Sequence, residues 1–342
     1  IKTNSNGGRQ LFSTLLPATA KLMFIDSVVV AKNDFLSHIP LNAEAGKLSM
    51  KSRKGNNVLA QYETELGDRC FYALGDSTST TLYVQTKVGN AWSQQSCLAD
   101  ISDEDYHWQN YPFLCADGIT LFFSATGPYS VGGRDIFMTS YDNDKDEWLQ
   151  PQNYGLPFNS TANDYLLAID DLDTLGWLVS DRHQHADSVC IYTFVPTQVR
   201  KDFTADNLSL AQLERYAQIH SIADTWAFGD RKAALGRRDA MMARAKVAKT
   251  HVTTSFILND NTLITDEKQL KSPVARNLFR QWVELNNMID DTRRSLDHNR
   301  ELYARGQRTL AQDILSKEKD LKQQLTDLHN VAKKLRVAEM QK

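Results

Sequence analysis

The sequence predicts a β plus α chain: repeated β-sheet units, then a helical region, then an antiparallel coiled-coil hairpin. Three observations predict it. Between about residues 22 and 199, aromatic and β-branched runs pair across Gly-containing turns, as pleated strands require. These pairs recur at a period of roughly 55 residues, the mark of a repeat architecture. After Lys271, apolar residues return every seven positions, the spacing of a coiled coil.

The clearest β unit opens with Asn110-Tyr111-Pro112-Phe113-Leu114-Cys115-Ala116-Asp117-Gly118. Asp117-Gly118 turns the chain tightly, because Gly tolerates φ > 0 and Asp bonds its own following backbone. Ile119-Thr120-Leu121-Phe122-Phe123-Ser124 then reads as a strand, Gly132-Gly133 as a turn, and Arg134-Asp135-Ile136-Phe137-Met138 as the partner strand. One period on, Trp177-Leu178-Val179-Ser180-Asp181 and Val189-Cys190-Ile191-Tyr192-Thr193 repeat the pair. Upstream, Cys70-Phe71-Tyr72-Ala73 and Thr81-Leu82-Tyr83-Val84 do so with a shorter loop. Asn90-Ala91-Trp92-Ser93 echoes Asp146-Glu147-Trp148-Leu149, and Ser37-His38-Ile39-Pro40-Leu41-Asn42 echoes Gly155-Leu156-Pro157-Phe158-Asn159. A partial unit starts with an outer hairpin, Leu22-Met23-Phe24-Ile25 and Ser27-Val28-Val29-Val30, but lacks inner strands. The late pair, Val252 to Leu258 and Thr262 to Thr265 around Asn259-Asp260-Asn261, is one source for them. A small β insertion beside the helices is the other reading of that pair.

Residues 200–271 form a helical linker containing that hairpin, at about 252–265. Leu208, Leu210, Leu213, Tyr216, Ile219, Ile222 and Trp226 mark one apolar face at helical spacing, with Asp206 or Asn207 as the cap. The stretch from Asp230 to Lys249 is cationic through Arg231, Lys232, Arg237, Arg238, Arg244, Lys246 and Lys249. Such a helix suits either a solvated face or an anionic surface. From 272 to 342 the chain reads as coiled coil, starting with Ser272 as N-cap and Pro273 in the first turn. Trp282, Ile289, Leu296, Tyr303 and Leu310 form one heptad series; Ile314, Leu321, Leu328 and Leu335 form another, with Leu325 and Val331 beside it. Gly306 sits near the midpoint, where a helix end favours Gly, so two arms folding back on each other are expected rather than one continuous helix.

With 39 basic and 42 acidic residues among 342, the net charge of −3 argues against a nucleic-acid partner. No apolar run approaches the roughly 20 residues that span a bilayer. The chain opens on Ile1, in a polar stretch over residues 1–21, expected as a tether left by a removed signal or preceded by further chain. Cys70, Cys97, Cys115 and Cys190 lack C-x-x-C spacing and suit buried thiols, with Cys70 and Cys115 the pair to test for a disulfide. Asp142, Asp144 and Asp146 alternate as in a calcium loop, but Glu147 and Asn153 stand where an EF-hand needs Gly and Glu. His183 and His185 form H-x-H beside Asp181 and Asp187, either a metal pair or an exposed loop. No nucleophile elbow, phosphate loop or zinc-protease motif occurs. The expectation is therefore no catalytic residue, no cofactor and no bound metal. Tyr106, Trp108 and Tyr111, in an acidic and aromatic segment, are the candidate binding rim; packing between sheets is their alternative role.

The β unit resembles the Pro-Asp variety of the WD-like β-propeller repeat, P-x-x-x-x-D-G followed by L-x-F-S and G-G-x-D-I-F. Pro112, Asp117, Gly118, Gly132, Gly133 and Asp135 carry the likeness. Cys190 replaces the Asp of the third unit, which also lacks Gly-Gly, and the first unit lacks the D-G turn, so a short, incomplete propeller is implied over residues 22–199. Across its length the chain resembles exported Bacteroidota proteins that join such a propeller to a helical tail. The likeness rests on Met23 to Val30, Asn110 to Phe113, Ala162 to Tyr165, Ile219 to Trp226 and Phe256 to Asp260. The resemblance implies a periplasmic or outer-membrane location, with a lipid-anchored or tethered N-terminus. It also implies a non-catalytic scaffold role, with other subunits of an outer-membrane assembly or secretion complex held through coiled coil and propeller. A glycan- or peptidoglycan-binding module and a periplasmic holdase for outer-membrane proteins are the alternatives.

Overall fold

The computed structural model describes residues 5–54, 57–76, 79–88, 91–101, 104–250, 256–259, 262–264, 266–304 and 307–340. They fall into two compact units, Ile1–Lys246 and Val247–Lys342.

The first unit opens with helix α1 (Ser5–Leu15), not with a loose tether. Phe12 and Leu16 are buried against Val131, Leu156 and Ala217, so the apolar residues hidden in this polar stretch form one docking face. Strand β1 (Met23–Ala31) follows as a single strand, not a hairpin, and a bulge at Ile25 separates its two paired segments.

Three curled antiparallel sheets make up most of the unit. In the first, β2 (Lys47–Lys54), β3 (Asn57–Glu63), β4 (Arg69–Gly75) and β5 (Thr80–Val88) are neighbours in order. The short strands β6 (Ala91–Trp92) and β7 (Ser96–Cys97) both pair with β5. The second sheet has β8 (His107–Leu114), β9 (Thr120–Thr126) and β10 (Asp135–Asp142), with β11 (Glu147–Trp148) and β12 (Gln152–Asn153) on β10. The third has β13 (Asp164–Asp170), β14 (Leu175–Ser180) and β15 (Ser188–Val195), and its outermost strand is β1. Val28 pairs with Ile191 and Val29 with Cys190. The missing outer strand of the last sheet is thus supplied by the start of the chain, whereas the late hairpin, among the described residues, forms a two-stranded sheet of its own.

Between the sheets lies one aromatic-rich core containing Phe24, Phe71, Phe113, Phe123, Phe137, Trp177 and Phe194, all essentially sealed from solvent. β14 is buried along its whole length, as expected of a strand covered on both faces. The Asp117-Gly118 turn forms at the sequence-predicted place. Asp117 Oδ1 accepts from the N–H groups of Ile119 and Thr120, its Oδ2 accepts from Thr120 Oγ1, and Gly118 has φ 74°. Burial works to raise the Asp117 pKa, but these donors hold it below the usual carboxylate value.

The helical face expected from Leu208 to Trp226 is broken into pieces. Helix α2 (Leu210–Ala217) is capped by Ser209 in a capping box with Gln212, not by Asp206 or Asn207. Ile219, at φ 51°, turns the chain out of the helix into a 3-10 turn, Ile222–Phe228. That turn covers the start of β1, where Thr225 Oγ1 accepts from Phe24 N–H and Trp226 Nε1 donates to Phe24 O. Four cations of helix α3 (Arg231–Thr250) turn back on the first unit. Arg231 donates to Ile25 O, Arg238 pairs with Asp26, and Arg237 and Arg244 hold Asp173.

The second unit contains β16 (Phe256–Asn259) paired with β17 (Thr262–Ile264), and the helices α4 (Pro273–Ala304) and α5 (Ala311–Met340). The expected positions 252–255, 260, 261, 265 and Gly306 lie outside the described residues. α4 starts where Ser272-Pro273 predicts, with Ala275 N–H donating to Ser272 Oγ. The two helices lie side by side and run in opposite directions. Glu339, near the end of α5, accepts from Lys271 and Ser272 N–H at the start of α4, while Arg300 near the end of α4 pairs with Glu318 near the start of α5. Ile289, Leu296 and Leu335 are buried between the elements of this unit, but Leu325, expected beside the seam, is 40% exposed. Phe256 packs on Trp282, tying the small hairpin to α4. No helix among the described residues is long and apolar enough to cross a membrane.

Candidate functional site

The densest unexplained polar chemistry lies in the first unit, at the start of β10. Gly132-Gly133 lets the second sheet approach the segment before β13 closely. A Cβ on Gly132 would stand 2.0 Å from Ala162 O, and one on Gly133 would stand 2.3 Å from Asn163 Oδ1. Gly133 N–H donates to Ala162 O, and Asp164 N–H donates to Arg134 O at 2.7 Å. Asp135 fixes the turn from inside, its carboxylate accepting from Val131 N–H, Gly132 N–H and Asn153 Nδ2. Arg134 is thereby held at the junction of the second and third sheets.

The Arg134 guanidinium is anchored through one nitrogen. Nη1 donates to Trp108 O at 2.5 Å and to Ser124 Oγ at 3.1 Å. Trp108 and Tyr111 both carry positive φ, 55° and 52°, in a strand whose register breaks on either side of Asn110. Pro112, which has no N–H to offer a ladder, stands where the register shifts between Asn110 and Phe113. The Asn110 side chain repairs the gap by acting as a strand backbone for β3. Its Oδ1 accepts from Ala60 N–H and its Nδ2 donates to Val58 O. Left-handed backbone at two bulky aromatic residues is costly and collects at ligand sites.

On the other side of the junction, Asp181 gathers four donors. Asn163 N–H, Asn163 Nδ2, Tyr165 Oη and Lys32 Nζ all lie within 2.8–2.9 Å of its oxygens. Burial works to raise the Asp181 pKa, but these donors outweigh it and keep the carboxylate ionised. Lys32 also sits over the Tyr165 ring, 4.9 Å from its centroid. Phe35 packs against both Tyr111 and Tyr165, with ring centroids 5.2 and 6.0 Å away. The floor of the junction is therefore aromatic.

Arg134 differs from the other arginine of this region. Arg182 is sealed from solvent, pairs with Asp164 at 2.6 Å, and donates to Ser180 Oγ, Pro157 O and Phe158 O. Among the described residues, Arg134 has no carboxylate within ion-pair distance, and its Nε and Nη2 have no protein acceptor. Burial lowers its pKa, and the neighbouring Tyr111 and Tyr165 only partly offset that. Tyr111 is 93% buried, from its 7% exposure, and its pKa is raised by burial and pulled back by Arg134. Its hydroxyl makes no hydrogen bond among the described residues. Ser130 Oγ, Asp170 Oδ2 and Gln324 Oε1 are unpaired and wholly enclosed; the Tyr111 hydroxyl and the free Arg134 nitrogens are not enclosed in that way.

Of the three residues expected on a rim, Trp108 is half-buried and Tyr111 lines the junction. Tyr106 is a core residue: its hydroxyl donates to Pro151 O and its ring packs edge-on to Phe123 and Phe137. Pro112, Asp117, Gly118, Gly132, Gly133 and Asp135 shape the second sheet and its turns, and the last three also position Arg134. His183 is drawn away from His185, with Nε2 2.9 Å from Gln218 O and its ring stacked on His220. Asp142 caps its own hairpin turn through Asp144 and Lys145 N–H. None of the four cysteines is joined in a disulfide, Cys70 and Cys115 included, and Cys97 is exposed instead of buried. Among the described residues no three His, Cys, Asp or Glu side chains gather as a metal site.

Sequence reasoning missed Arg134, Lys32, Asp181 and Tyr165 as a group. Arg134 stood in plain view between Gly133 and Asp135, and a charged residue opening a strand after a Gly-Gly turn was the available signal. Comparison of the chain with known protein families, with characterised proteins and with solved structures finds no match.

Proposed function

We propose that this chain is a non-catalytic interaction subunit of a cell-envelope protein complex. In this reading the three sheets form a short WD-like propeller and α4 with α5 a coiled-coil hairpin. The observation that carries it is the set of apolar residues left exposed on each long helix. Val274 and Met288 are exposed on α4, fourteen residues or about four turns apart, and Leu315 and Val337 on α5, about six turns apart. Apolar side chains left exposed on both arms of a helix pair are contacts open to another protein. The propeller reading is supported by β1, since a strand from the start of the chain that completes the last sheet protects an edge that would otherwise pair with other chains. The envelope setting draws on the likeness of the Pro-Asp repeats to exported proteins.

The test uses full-length tagged protein recovered from its own cells with the proteins bound to it. Leu315→Asp combined with Val337→Asp places charge at two of these positions without touching the seam. Helix content by circular dichroism should be unchanged while co-purifying proteins are lost. The same set of bound proteins with the double variant would overturn the reading.

A further inference from the structure

We propose that Arg134 and Tyr111 form a binding site for a carboxylate carried on a peptide, at the junction of the second and third sheets. The free Nε–Nη2 edge of a guanidinium presents two parallel N–H groups, the spacing of the two oxygens of a carboxylate. Arg134 has that edge to offer because Nη1 alone is used to anchor it on Trp108 O and Ser124. Tyr111 Oη supplies a third donor from a ring that is otherwise buried. A guanidinium largely buried without a counter-charge is disfavoured, and an anionic ligand supplies that charge.

Local charge selects the kind of anion. Lys32 is already neutralised by Asp181 at 2.9 Å, so Arg134 is the one cation of the junction left to be balanced among the described residues. A single positive charge beside an ionised Asp181 suits a monovalent carboxylate and disfavours a phosphate dianion. Tyr111 and Tyr165, packed on the sealed Phe35 ring, give the carbon skeleton next to the carboxylate its apolar neighbours. Trp108 and Tyr111 keep their left-handed backbone in this same place, which turns the Trp108 carbonyl onto Arg134 and holds the fork still. The site belongs to the first unit and does not rest on the exposed apolar residues of the second.

Calorimetric titration of the full-length chain tests it with four probes: acetyl-trialanine with a free C-terminus, the same peptide as its amide, acetyl-Ala-Glu-Ala amide, and inorganic phosphate. Saturable binding is expected for a carboxylate peptide and not for the trialanine amide. Binding of the free terminus alone assigns the site to chain ends, binding of the Glu peptide alone to acidic side chains, and binding of both to the shared group. Tyr111→Phe, which keeps the ring and its packing, should weaken affinity roughly tenfold with an unchanged melting temperature. Arg134→Gln should abolish binding. The proposal is overturned by equal binding of the amide, by preference for phosphate, or by no saturable binding of either carboxylate peptide. It is overturned equally by full affinity in folded Tyr111→Phe. None of these results bears on whether the Leu315 and Val337 variant keeps its partners.

Discussion

Asp135 and Asp164 hold matching places in neighbouring sheets, yet only Asp164 has a counter-charge. Each is the first residue of its strand, each is fully buried, and each accepts from a backbone N–H four residues earlier, Val131 for one and Ser160 for the other. Asp164 is closed off by Arg182 at 2.6 Å. Asp135 faces only neutral donors and feels the charge of Asp164.

That difference makes the fold sensitive to pH near neutrality. Burial, then the Asp164 charge, push the Asp135 pKa up to about 7, against the pull of its three N–H donors. Above about pH 4 the unfolded chain has released this proton while the folded chain keeps it, so folding binds a proton. The contribution of Asp135 to stability is therefore full below about pH 4 and is lost as pH rises through about 7. Urea unfolding across this range should show a decline on the order of a few kcal/mol in the native chain. Asp135→Asn should be less stable at low pH and should flatten the decline. An equal slope in both proteins would assign the pH dependence elsewhere.

Arg182→Met should cost about 3–5 kcal/mol, because it leaves Asp164 charged and enclosed. Adding Asp164→Asn removes the stranded charge and should recover part of the loss. Chemical denaturation of the single and double variants measures both. A single variant with native stability would mean that the pair contributes nothing beyond what its neighbours supply.

Gly132→Ala and Gly118→Ala separate close approach from backbone conformation. At Gly132 the added methyl would stand 2.0 Å from Ala162 O and 2.4 Å from Ser160 O, so the two sheets must part at a cost of about 1–3 kcal/mol. At Gly118 the space is open but φ is 74°, so the cost is about 1–2 kcal/mol of backbone strain. Only Gly132→Ala should also disturb Arg134, and with it carboxylate binding. Loss of binding in both variants would contradict this division.

In the second unit, Gln324 Oε1 is enclosed without a hydrogen-bond donor. It lies among Thr292, Ser295 and Lys317 in a polar stretch between α4 and α5. Replacing Gln324 by Leu should stabilise this unit by about 1–3 kcal/mol, since an unmet polar group is exchanged for an apolar one. The melting transition reports it, and a lower midpoint for Gln324→Leu would show that the oxygen is satisfied in solution.

What could be foreseen from the sequence was what local chemistry dictates. Asp117-Gly118 needs only its own neighbours to turn, and Ser272-Pro273 only its own backbone to start a helix. Strands around Phe122 and Phe137 follow from runs of residues that suit a pleated, covered surface. Features decided by distant contacts stayed hidden. β1 looked like half of a hairpin because its true partner, β15, lies at the other end of the β region. α1 looked like a tether because Leu11, Phe12, Leu15 and Leu16 stand among polar residues, and the cavity they fill is built by Val131, Leu156 and Ala217. The helical face from Leu208 to Trp226 has the right spacing, but Ile219 leaves the helix so that the next segment can cap β1. The Arg134 junction draws on Lys32, Tyr111, Tyr165 and Asp181, four places that no spacing rule connects.

The pairing of β1 with β15 also sets a timetable for synthesis. Val28 leaves the ribosome some 160 residues before Ile191, and contacts this distant in sequence are slow to form. Until then β1 is a nascent strand with both edges unpaired and with Val28, Val29 and Val30 in a row, a segment prone to sticking. Assembly of the third sheet has to wait, for its first strand, until Ser188–Val195 has been made. Whatever shields Ser27 to Val30 during that wait, a chaperone or a transient pairing within the chain, governs the yield of folded protein.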